Sequence, residues 1–248
     1  MGFVEIHFHL LPGVDDGPQT LQETVWLART AASEGTRIIV ATPHVNAICA
    51  LDVSTIDERV REVAARLHGE RIPVRLVAGG ELAHDIVDRL SQRELDCIAQ
   101  GPPSRRWVLL EAPFGGLDDS FTAAADELRQ RSFAVVVAHP ERALATSQKG
   151  WRAIKHELQA GSAMQLNAWS ITGLNGERAR SEALRILRAS RCVAVSSDAH
   201  GPHRAPSLRL AIDALARFGE RSPGRLVSAI PEALVTKGLS AEPAARAA

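Results

Sequence analysis

The sequence lacks an excess of either charge, and it lacks any long apolar run. Lysine plus arginine and aspartate plus glutamate each total 29, so the formal net charge at pH 7 is +0. A neutral chain has no overall attraction to nucleic acid or to an anionic membrane surface. No apolar run approaches the roughly 20 residues of a membrane-spanning helix, and MGFVEIH lacks the basic flank and apolar region of a signal peptide. We therefore expect no nucleic-acid partner, no stable membrane insertion and a cytoplasmic location.

Cysteine is also scarce. The three cysteines, Cys49, Cys97 and Cys192, are an odd number at wide spacing, which argues against a disulfide framework and against a zinc knuckle. A thiol-dependent phosphatase would need an arginine shortly after its cysteine to hold phosphate, but no arginine stands at the sixth position beyond any of the three. We expect these cysteines to be buried small hydrophobic residues.

What the sequence does contain is a regular alternation of short apolar runs with amphipathic stretches. Continuous Val, Ile and Leu runs are typical of parallel strands that are buried on both faces. Seven runs have the length of a strand: FVEIH (3–7), TRIIVATPH (36–44), PVRLVAGGE (73–81), RRWVLLEAP (105–113), SFAVVVAHP (132–140), AMQLNA (163–168) and CVAVSSDAH (192–200).

The stretches between the runs predict helices. Thr20 and Glu23 have the spacing of a capping box, and Gly35 stands where the first helix would end. Further helices are expected near 55–68, 84–92, 119–131, 149–160, 178–190 and 207–220. A repeated strand–helix unit predicts a parallel barrel or a doubly wound sheet. Without a visible linker, we expect one domain over residues 1–240 and a disordered tail over 241–248.

Acidic and imidazole side chains stand at the ends of six of the seven runs. They are His7 and His9, His44, Glu81, Glu111, His139, and Asp198 with His200. In a parallel barrel the carboxyl ends of all strands meet at one face, where such folds keep their active sites. Each residue alone is more often a satisfied core side chain or a helix cap. Together they would be costly to bury without cations.

The residue types indicate which cations. Imidazole and carboxylate without thiolate favour Mn, Fe or Zn over Ca or a structural zinc site. Eight candidates exceed the needs of one catalytic zinc and suit two or three ions that share a carboxylate, a centre that makes hydroxide near neutral pH and suits phosphate esters. Arg142 and Arg204 lie shortly after candidate ligands and are expected to hold phosphate, although a lone surface arginine is as often simply solvated.

These motifs resemble a known superfamily. HxH, TPH, GGE, the glutamate of the fourth run, AHPER and SSDAHG, in this order, resemble the PHP (polymerase and histidinol phosphatase) superfamily. More narrowly, HFHLLPGVDDGPQTLQET, ATPH and AHPER resemble the CpsB/CapC branch, bacterial manganese-dependent protein-tyrosine phosphatases of capsule and exopolysaccharide synthesis. The resemblance implies an α/β fold, a single-domain distorted (β/α)7 barrel of the PHP type.

The resemblance also implies a ligand assignment. The first ion would bind His7, His9 and Asp198, the second Glu111 and His139 with Glu81 as a bridge, and the third His44, His200 and Asp16. Asp15, next to Asp16, is expected instead to support the loop. Arg142, Arg204 and His139 are expected to serve catalysis, the arginines by holding phosphoryl oxygens. Two or three Mn²⁺ ions are the expected cofactors, with Fe or Zn as alternatives.

Three positions depart from the family pattern. Glu5 stands where the family has aspartate, and a longer acid could make the same contact to an imidazole from a shifted backbone. Phe8 is bulkier than the expected residue between the histidines and is predicted to pack outside the strand. AIPEAL stands where an Asn-Pro pair is expected, which weakens the prediction of a terminal helix.

The implied reaction is in-line attack of metal-bound hydroxide on a phosphotyrosine. The implied partner is the tyrosine-phosphorylated tail of a bacterial tyrosine kinase that acts with the polysaccharide polymerisation machinery. The alternatives are a phosphatase of a small phosphomonoester such as histidinol phosphate, a binding scaffold without catalysis, and phosphodiesterase or nuclease chemistry. A scaffold would be expected to have lost ligands, and here every expected ligand position is filled.

Overall fold

Nine short strands form two parallel sheets in a computed structural model of the chain, which describes residues 2–49, 51–147 and 150–241. One sheet has the order β1-β2-β4 and the other the order β3-β5-β6-β7-β8-β9. The strands are β1 Phe3–Glu5, β2 Thr36–Ala41, β3 His44–Val45, β4 Arg75–Ala78, β5 Glu81–Ala83, β6 Trp107–Glu111, β7 Ala134–Ala138, β8 Ala163–Asn167 and β9 Val193–Ser196.

The seven predicted runs all contain strands, and together they form a ring. Two runs are each interrupted: the second contains β2 and ends at His44, where β3 begins, and the third contains β4 and ends at Glu81, where β5 begins. The ring closes between the first and last runs, where a parallel bridge joins Phe8 to Ala199 and the His9 N–H donates to the Ala199 carbonyl at 3.0 Å. The predicted α/β fold, a distorted barrel of seven runs, is confirmed.

The two interruptions have different physical causes. Pro43 has no N–H to donate, and the Thr42 N–H turns toward the first run, where the Phe8 carbonyl accepts it at 2.9 Å. In the third run, Gly79 and Gly80 let neighbouring side chains approach the backbone, since a Cβ on Gly80 would lie 2.9 Å from Ile98. The uninterrupted strands predicted over 36–44 and 73–81 were therefore wrong in this detail.

Eleven α-helices lie within the described residues. They are α1 Leu21–Glu34, α2 Ile56–Gly69, α3 Gln92–Ile98, α4 Asp119–Gln130, α5 Pro140–Thr146, α6 Trp151–Ala160, α7 Ala168–Thr172, α8 Glu177–Ala189, α9 Leu208–Arg217, α10 Pro223–Leu226 and α11 Ala229–Lys237. Helix α1 has the predicted capping box between Thr20 and Glu23 and ends at Gly35, whose φ of 108° is left-handed.

One predicted helix was wrong. Instead of one helix near 84–92, a 3₁₀ helix over His84–Arg89 is followed by α3, which has its own capping box between Ser91 and Glu94. A capping residue at Ser91 stops one element and starts the next. The sequence also did not predict the short helices α5, α7 and α10, and the terminal helix α11 forms despite its weak motif.

The helices cover the outside of the ring and bury its apolar side chains. Phe8 is fully buried in the main hydrophobic cluster, in agreement with its predicted packing role. The three cysteines are only partly buried, so the prediction that they are buried was wrong; Cys49, for example, lies in the loop after β3. No described helix is both long and apolar enough to cross a membrane.

The domain boundary at residue 240 stays a prediction. The tail predicted for residues 241–248 lies outside the described residues, apart from Ala241.

Candidate metal centre

The candidate ligands are carried to one end of the barrel by the strands that precede them. His7 and His9 follow β1, His44 opens β3, Glu81 opens β5, and Glu111 ends β6. His139 is the first residue after β7 and Asp198 the second after β9, and both have left-handed backbone, with φ of 32° and 52°. Such backbone is costly for residues other than glycine and clusters at functional sites. It turns the backbone sharply at each of these two residues, where the side chain enters the cluster.

Glu81 lies at the centre of the cluster. Its Oε2 atom lies 3.1 Å from Nε2 of His7, 3.2 Å from Nε2 of His9 and 3.1 Å from Nδ1 of His44. Its Oε1 atom accepts a hydrogen bond from Nε2 of His139 at 2.9 Å. One carboxylate thus contacts four imidazoles, a position that suits the bridging role implied by the family resemblance.

His7, His9 and Asp198 form a compact, fully buried set. Asp198 Oδ1 lies 3.3 Å from His7 Nε2 and 3.4 Å from His9 Nε2, and these two nitrogens are 3.2 Å apart. All three side chains are at most 1% exposed. They are the residues predicted to bind the first ion.

Asp16, His44 and His200 form a second set at the solvent side of the cluster. Asp16 Oδ1 lies 3.4 Å from His44 Nε2 and 3.1 Å from His200 Nε2. Asp16 is 63% exposed and is the open edge of the centre. These are the residues predicted to bind the third ion.

The set predicted for the second ion is the least compact. Glu81 and His139 are joined, but Glu111 approaches His44, at 4.0 Å, and groups with His44 and Glu81 rather than with His139. Taken together, the nine predicted ligands lie in four overlapping groups, within each of which the ligand atoms are within 4.8 Å of one another. The groups are His9, Asp16, His44 and His200; His7, His9 and Asp198; His7, Glu81 and His139; and His44, Glu81 and Glu111.

The electrostatics of the cluster favour charged carboxylates at its centre. Burial acts to raise the pKa of Glu81, but the imidazoles of His7, His139 and His44 hold it well below its usual value. The pKa of Asp198 is likewise well below its usual value, because His7, His9 and Arg204 outweigh burial. Burial and the charge of Glu81, by contrast, raise the pKa of Glu111 to about 8.

The imidazoles fall into two classes. Burial lowers the pKa of His44, His139 and His200, which favours the neutral form that binds metals. Burial also opposes the charge on His7 and His9, but the pKa of His7 is raised by Glu81 and Asp198, and that of His9 by Asp15. A cation that replaces these protons neutralises the same carboxylates, so metal binding is expected to release protons.

Both predicted phosphate-binding arginines reach the cluster. Arg142 Nη1 donates to Asp198 Oδ2 at 3.2 Å, and Arg204 Nη2 donates to the same oxygen at 2.6 Å. Arg142 lies in α5, and Arg204 lies in the loop that follows His200. Their guanidinium groups therefore lie at the edge of the centre, partly exposed and against a candidate ligand.

Two residues that orient the ligands were not predicted from the sequence. The Gln165 Oε1 atom accepts from His7 Nδ1 at 2.9 Å and from the His139 backbone N–H at 3.1 Å. Asn167 Nδ2 donates to Asp198 Oδ2 at 2.8 Å. Both residues belong to β8, whose run alone lacks a His, Asp or Glu. The available signal was two amides at alternate positions of an apolar strand, which face the same side.

Asp15 plays the supporting role that the sequence left as the alternative to ligation. Its Oδ2 atom accepts from His9 Nδ1 at 2.7 Å and from the His44 backbone N–H at 2.9 Å. His200 is held in a similar way to His9, since its Nδ1 donates to the Asp198 carbonyl at 2.9 Å. In His7, His9 and His200 the Nδ1 atom is thus held by protein, which leaves Nε2 directed at the cluster.

The structure does not place Glu5 against an imidazole, so the predicted contact was wrong. The Glu5 Oε2 atom instead accepts the Ser197 backbone N–H at 2.8 Å. Glu5 is fully buried, and burial raises its pKa to about 8. The longer acid ties the first strand to the end of β9, next to Asp198, and the hydrogen bond that orients His7 comes from Gln165.

The donor set fits a multinuclear centre of divalent ions. Among the described residues, His44 Nδ1, Glu81 Oε2 and His200 Nε2 are buried and make no hydrogen bond, although oppositely charged or polar atoms lie 3.1 Å away. Close approach without hydrogen-bond geometry is costly for buried polar atoms. Cations bound in the groups to which these atoms belong would supply the missing partners, and imidazole with carboxylate is the donor set of Mn, Fe and Zn.

Sequence comparison finds relatives over most of the chain. A sequence model of the family described as "Capsular polysaccharide synthesis, CpsB/CapC" matches residues 3–236. The tyrosine-protein phosphatase YwqE of Bacillus subtilis is 28% identical over 200 residues, which cover 79% of this chain and 77% of the relative. The tyrosine-protein phosphatase CpsB of Streptococcus pneumoniae is 23% identical over 247 residues, 94% of this chain and 98% of the relative.

Comparison with solved structures finds the same group of phosphatases as the sequence comparison. A chain from the crystal structures of YwqE from Bacillus subtilis and CpsB from Streptococcus pneumoniae, described as metal-dependent tyrosine phosphatases, superposes with a TM-score of 0.82 and 25% identity. It covers 98% of this chain and is itself covered completely, at 100%. A histidinol phosphate phosphatase from Lactococcus lactis shares the fold, with a TM-score of 0.58 and 13% identity over 90% of this chain and 94% of that one.

Proposed function

Because the chain belongs to the CpsB/CapC family of capsular polysaccharide synthesis, we propose that it is a metal-dependent protein-tyrosine phosphatase. The observation that carries this proposal is the meeting of nine imidazole and carboxylate ligands with two guanidinium groups at one end of the barrel. Such a centre suits hydrolysis of a phosphate ester, because anionic oxygens need fixed positive charge.

The nine ligands are proposed to hold two or three Mn²⁺ ions, with Fe or Zn as alternatives. The sets are His7, His9 and Asp198; Glu111 and His139; and Asp16, His44 and His200, with Glu81 as the bridge. When bound, such ions lower the pKa of water and stabilise the charge of the attacking and leaving oxygens. The four-imidazole environment of Glu81 supports its bridging role.

Arg142 and Arg204 are proposed to bind the phosphoryl oxygens. Both guanidinium groups pair with Asp198 Oδ2, so they are already oriented toward the centre and can bind an anion beside it. The group that leaves phosphotyrosine is a phenolate, whose conjugate acid has a pKa of about 10, so it departs more readily than an alkoxide and depends less on a general acid. This difference favours phosphotyrosine over phosphoserine.

A phosphotyrosine substrate must belong to another protein, because this chain contains no tyrosine. We propose the tyrosine-phosphorylated tail of a bacterial tyrosine kinase that works in capsule or exopolysaccharide synthesis, in the cytoplasm. The exposed edge of the centre at Asp16 supports access by a flexible peptide. A small phosphomonoester such as histidinol phosphate is the alternative, and a more enclosed pocket would favour it.

The test is hydrolysis of a phosphotyrosine peptide, with a phosphoserine peptide and histidinol phosphate in parallel, after chelation and again after addition of Mn²⁺. We expect phosphate release from phosphotyrosine only, restored by Mn²⁺ and lost in His139→Ala. His156→Ala is the matched control, since His156 lies on α6 and contacts Asp126 rather than any ligand. Bound metal should be counted in each variant by elemental analysis.

Three outcomes would contradict the proposal. Preferential release from histidinol phosphate would support the alternative substrate. Full activity after chelation would exclude a required metal. Metal binding without turnover of any of the three substrates would indicate a scaffold.

A further inference from the structure

One exposed aromatic ring lies at the rim of the metal centre. Three aromatic side chains in the described part of the chain are more than 40% exposed, namely Trp26, Phe114 and Phe218. Only Phe114, which is 50% exposed, contacts a candidate ligand. Its ring stacks on that of His139, with 5.9 Å between the centroids and 19° between the planes.

Phe114 also lies against one of the phosphate-binding arginines. The Arg142 guanidinium carbon is 4.4 Å from the centroid of the Phe114 ring. The Nη1 atom of the same guanidinium donates to Asp198 Oδ2 at 3.2 Å. The Phe114 ring and the proposed phosphate-binding guanidinium therefore share one wall of the site.

The backbone fixes Phe114 in this position. The loop after β6 makes a tight turn in which the Gly116 N–H donates to the Pro113 carbonyl at 3.0 Å, and the φ of 107° at Gly116 is left-handed. The Phe114 carbonyl accepts from Thr146 Oγ1, in α5, at 2.7 Å. The loop is thus tied to the helix that carries Arg142, so the ring and the arginine keep their relative position.

We propose that Phe114 selects aryl phosphates by stacking on the aromatic ring of the substrate. The inference rests on the proposed function and names the residue that recognises its leaving group. In an aryl phosphate one oxygen joins phosphorus to the ring, so a phosphoryl group held by Arg142 brings that ring within reach of Phe114. Offset stacking between aromatic rings is favourable, and an alkyl phosphate has no ring to make it.

The experiment separates ring recognition from phosphate binding. The affinities of phenylphosphonate and methylphosphonate for the Mn²⁺-loaded protein are measured by calorimetry in the wild type, Phe114→Ala, Phe114→Leu and Phe114→Tyr. We expect the wild type to prefer phenylphosphonate by about tenfold, the scale of one aromatic pair. This preference should disappear in the alanine variant, fall in the leucine variant and persist in the tyrosine variant, while methylphosphonate affinity stays constant.

Phe218→Ala is the matched control, because Phe218 is also a half-exposed ring beside an arginine, Arg180 at 5.3 Å, but contacts none of the candidate ligands. It should leave both affinities unchanged. With a phosphotyrosine peptide, Phe114→Ala should raise KM about tenfold and change kcat little, because stacking stabilises the bound substrate and the transition state alike.

Two results would overturn the inference. Equal losses for both phosphonates would mean that Phe114 only supports Arg142, and no preference for phenylphosphonate in the wild type would mean that the ring is not recognised. The proposed function fails separately. A protein that prefers phenylphosphonate through Phe114 but releases no phosphate from phosphotyrosine would keep the aryl site and lose the proposed reaction.

Discussion

Gln165 holds two candidate ligands with a single side-chain oxygen. It accepts from His7 Nδ1 and from the His139 backbone N–H, and its own amide N–H donates to the Leu166 carbonyl at 2.9 Å. The last contact fixes which end of the amide faces the histidines. His139 needs such support, because its left-handed backbone is costly for a residue with a Cβ.

Replacing Gln165 by leucine should weaken metal binding, although Gln165 is not itself a candidate ligand. The His7 Nδ1–H and the His139 N–H would lose their acceptor, and loss of a hydrogen-bond partner that orients a ligand typically costs about 10–100-fold in metal affinity. We expect a loss of this size in Mn²⁺ affinity, measured by titration calorimetry. Gln100→Leu is the matched control, since Gln100 is also buried but contacts Ala78 rather than a ligand.

Both variants should be destabilised in the metal-free state, by about 1–3 kcal/mol for each buried group left without a partner. Only Gln165→Leu should alter Mn²⁺ affinity. Equal Mn²⁺ affinities in the two variants would show that Gln165 is an ordinary core residue.

Glu5 gives the metal-free protein a specific dependence on pH. Burial raises its pKa from 4.5 to about 8, so the folded state holds a proton that the unfolded state releases. Its contribution to stability is therefore fully present below pH 4.5, declines as the pH rises, and is lost once the pH has passed through about 8. One pKa unit corresponds to about 1.4 kcal/mol, so the effect amounts to a few kcal/mol.

Glu5→Gln should remove this loss, because glutamine carries no titrating proton. We expect wild type and variant to differ least near pH 4, the variant to become the more stable between pH 4.5 and 8, and the difference to level off above about pH 8. Urea unfolding of the chelated proteins across this range measures it. A difference that does not change with pH would contradict the assigned burial effect.

The interrupted strands matter at the scale of the element, because each break sets the start of a strand that carries a ligand. His44 opens β3 and Glu81 opens β5, and the two are paired in register across the sheet. The Glu81 N–H donates to the Pro43 carbonyl at 3.0 Å, so one break is tied to the other. In a continuous strand, side chains would alternate regularly between the two faces of the sheet. The two breaks interrupt this alternation just before His44 and Glu81.

Gly80→Ala should therefore disturb the centre as well as the fold. The added Cβ would lie 2.9 Å from Ile98 Cγ2 and 3.0 Å from Val45 Cγ2, both in packed surroundings. Overpacking of this kind costs about 1–3 kcal/mol, and we expect Mn²⁺ affinity to fall with it because Glu81 is the next residue. Thermal unfolding and a metal titration measure the two effects.

Gly69→Ala is the control for this substitution. Gly69 ends α2, and a Cβ there would have no neighbour within 4 Å. We expect unchanged metal affinity and equal or slightly higher stability, by up to about 1 kcal/mol, because alanine is favoured over glycine in helices. Unchanged Mn²⁺ affinity in Gly80→Ala as well would show that the break does not position Glu81.

At the scale of the whole molecule, metal binding should stabilise the entire barrel. The proposed ligands come from strands or loops spread around the ring, from His7 to His200. A ligand that binds only the folded state stabilises it by about 2.7 kcal/mol at 100 times its dissociation constant. We expect the melting temperature to rise with Mn²⁺ concentration and to fall on chelation.

The Glu81→Gln variant should lose most of this rise in melting temperature. Glu81 contacts four imidazoles, whereas none of the three proposed ion sets includes more than two. Glu177→Gln, on the exposed surface of α8, should keep the wild-type response. Differential scanning calorimetry with and without chelator compares them. Melting temperatures of the wild type that do not depend on Mn²⁺ would contradict a resident metal centre.

The sequence predicts the ring and the ligand positions for a physical reason. An apolar run that ends in His, Glu or Asp is a rare pattern, and the carboxyl ends of parallel strands must meet, so His7 and Asp198 can be placed together although they lie far apart along the chain. Gln165 and Phe114 escape prediction, because a glutamine in a strand or a phenylalanine in a loop is ordinary. Their roles depend on contacts that form only when the ring closes.

Some errors of detail have the same origin. The break at Gly80 depends on the packing of Ile98, and the contact of Glu5 with Ser197 depends on the closure of β1 against β9. Local patterns carry no record of such neighbours. The capping box at Ser91 was visible in the sequence, and the helix predicted near 84–92 overlooked it.

The closure of the ring between its first and last strands has a consequence for how the protein is made. At about 5–20 residues per second, a ribosome completes His7 and His9 roughly 10 to 40 seconds before it reaches Asp198. During that interval the two histidines are an unfinished site that, like most nitrogen ligands, prefers Zn²⁺ to Mn²⁺. Protein produced in manganese-rich and in zinc-rich growth media should therefore carry different ions as isolated, and chelation followed by Mn²⁺ should make the two preparations alike, because the edge of the centre at Asp16 is open to solvent.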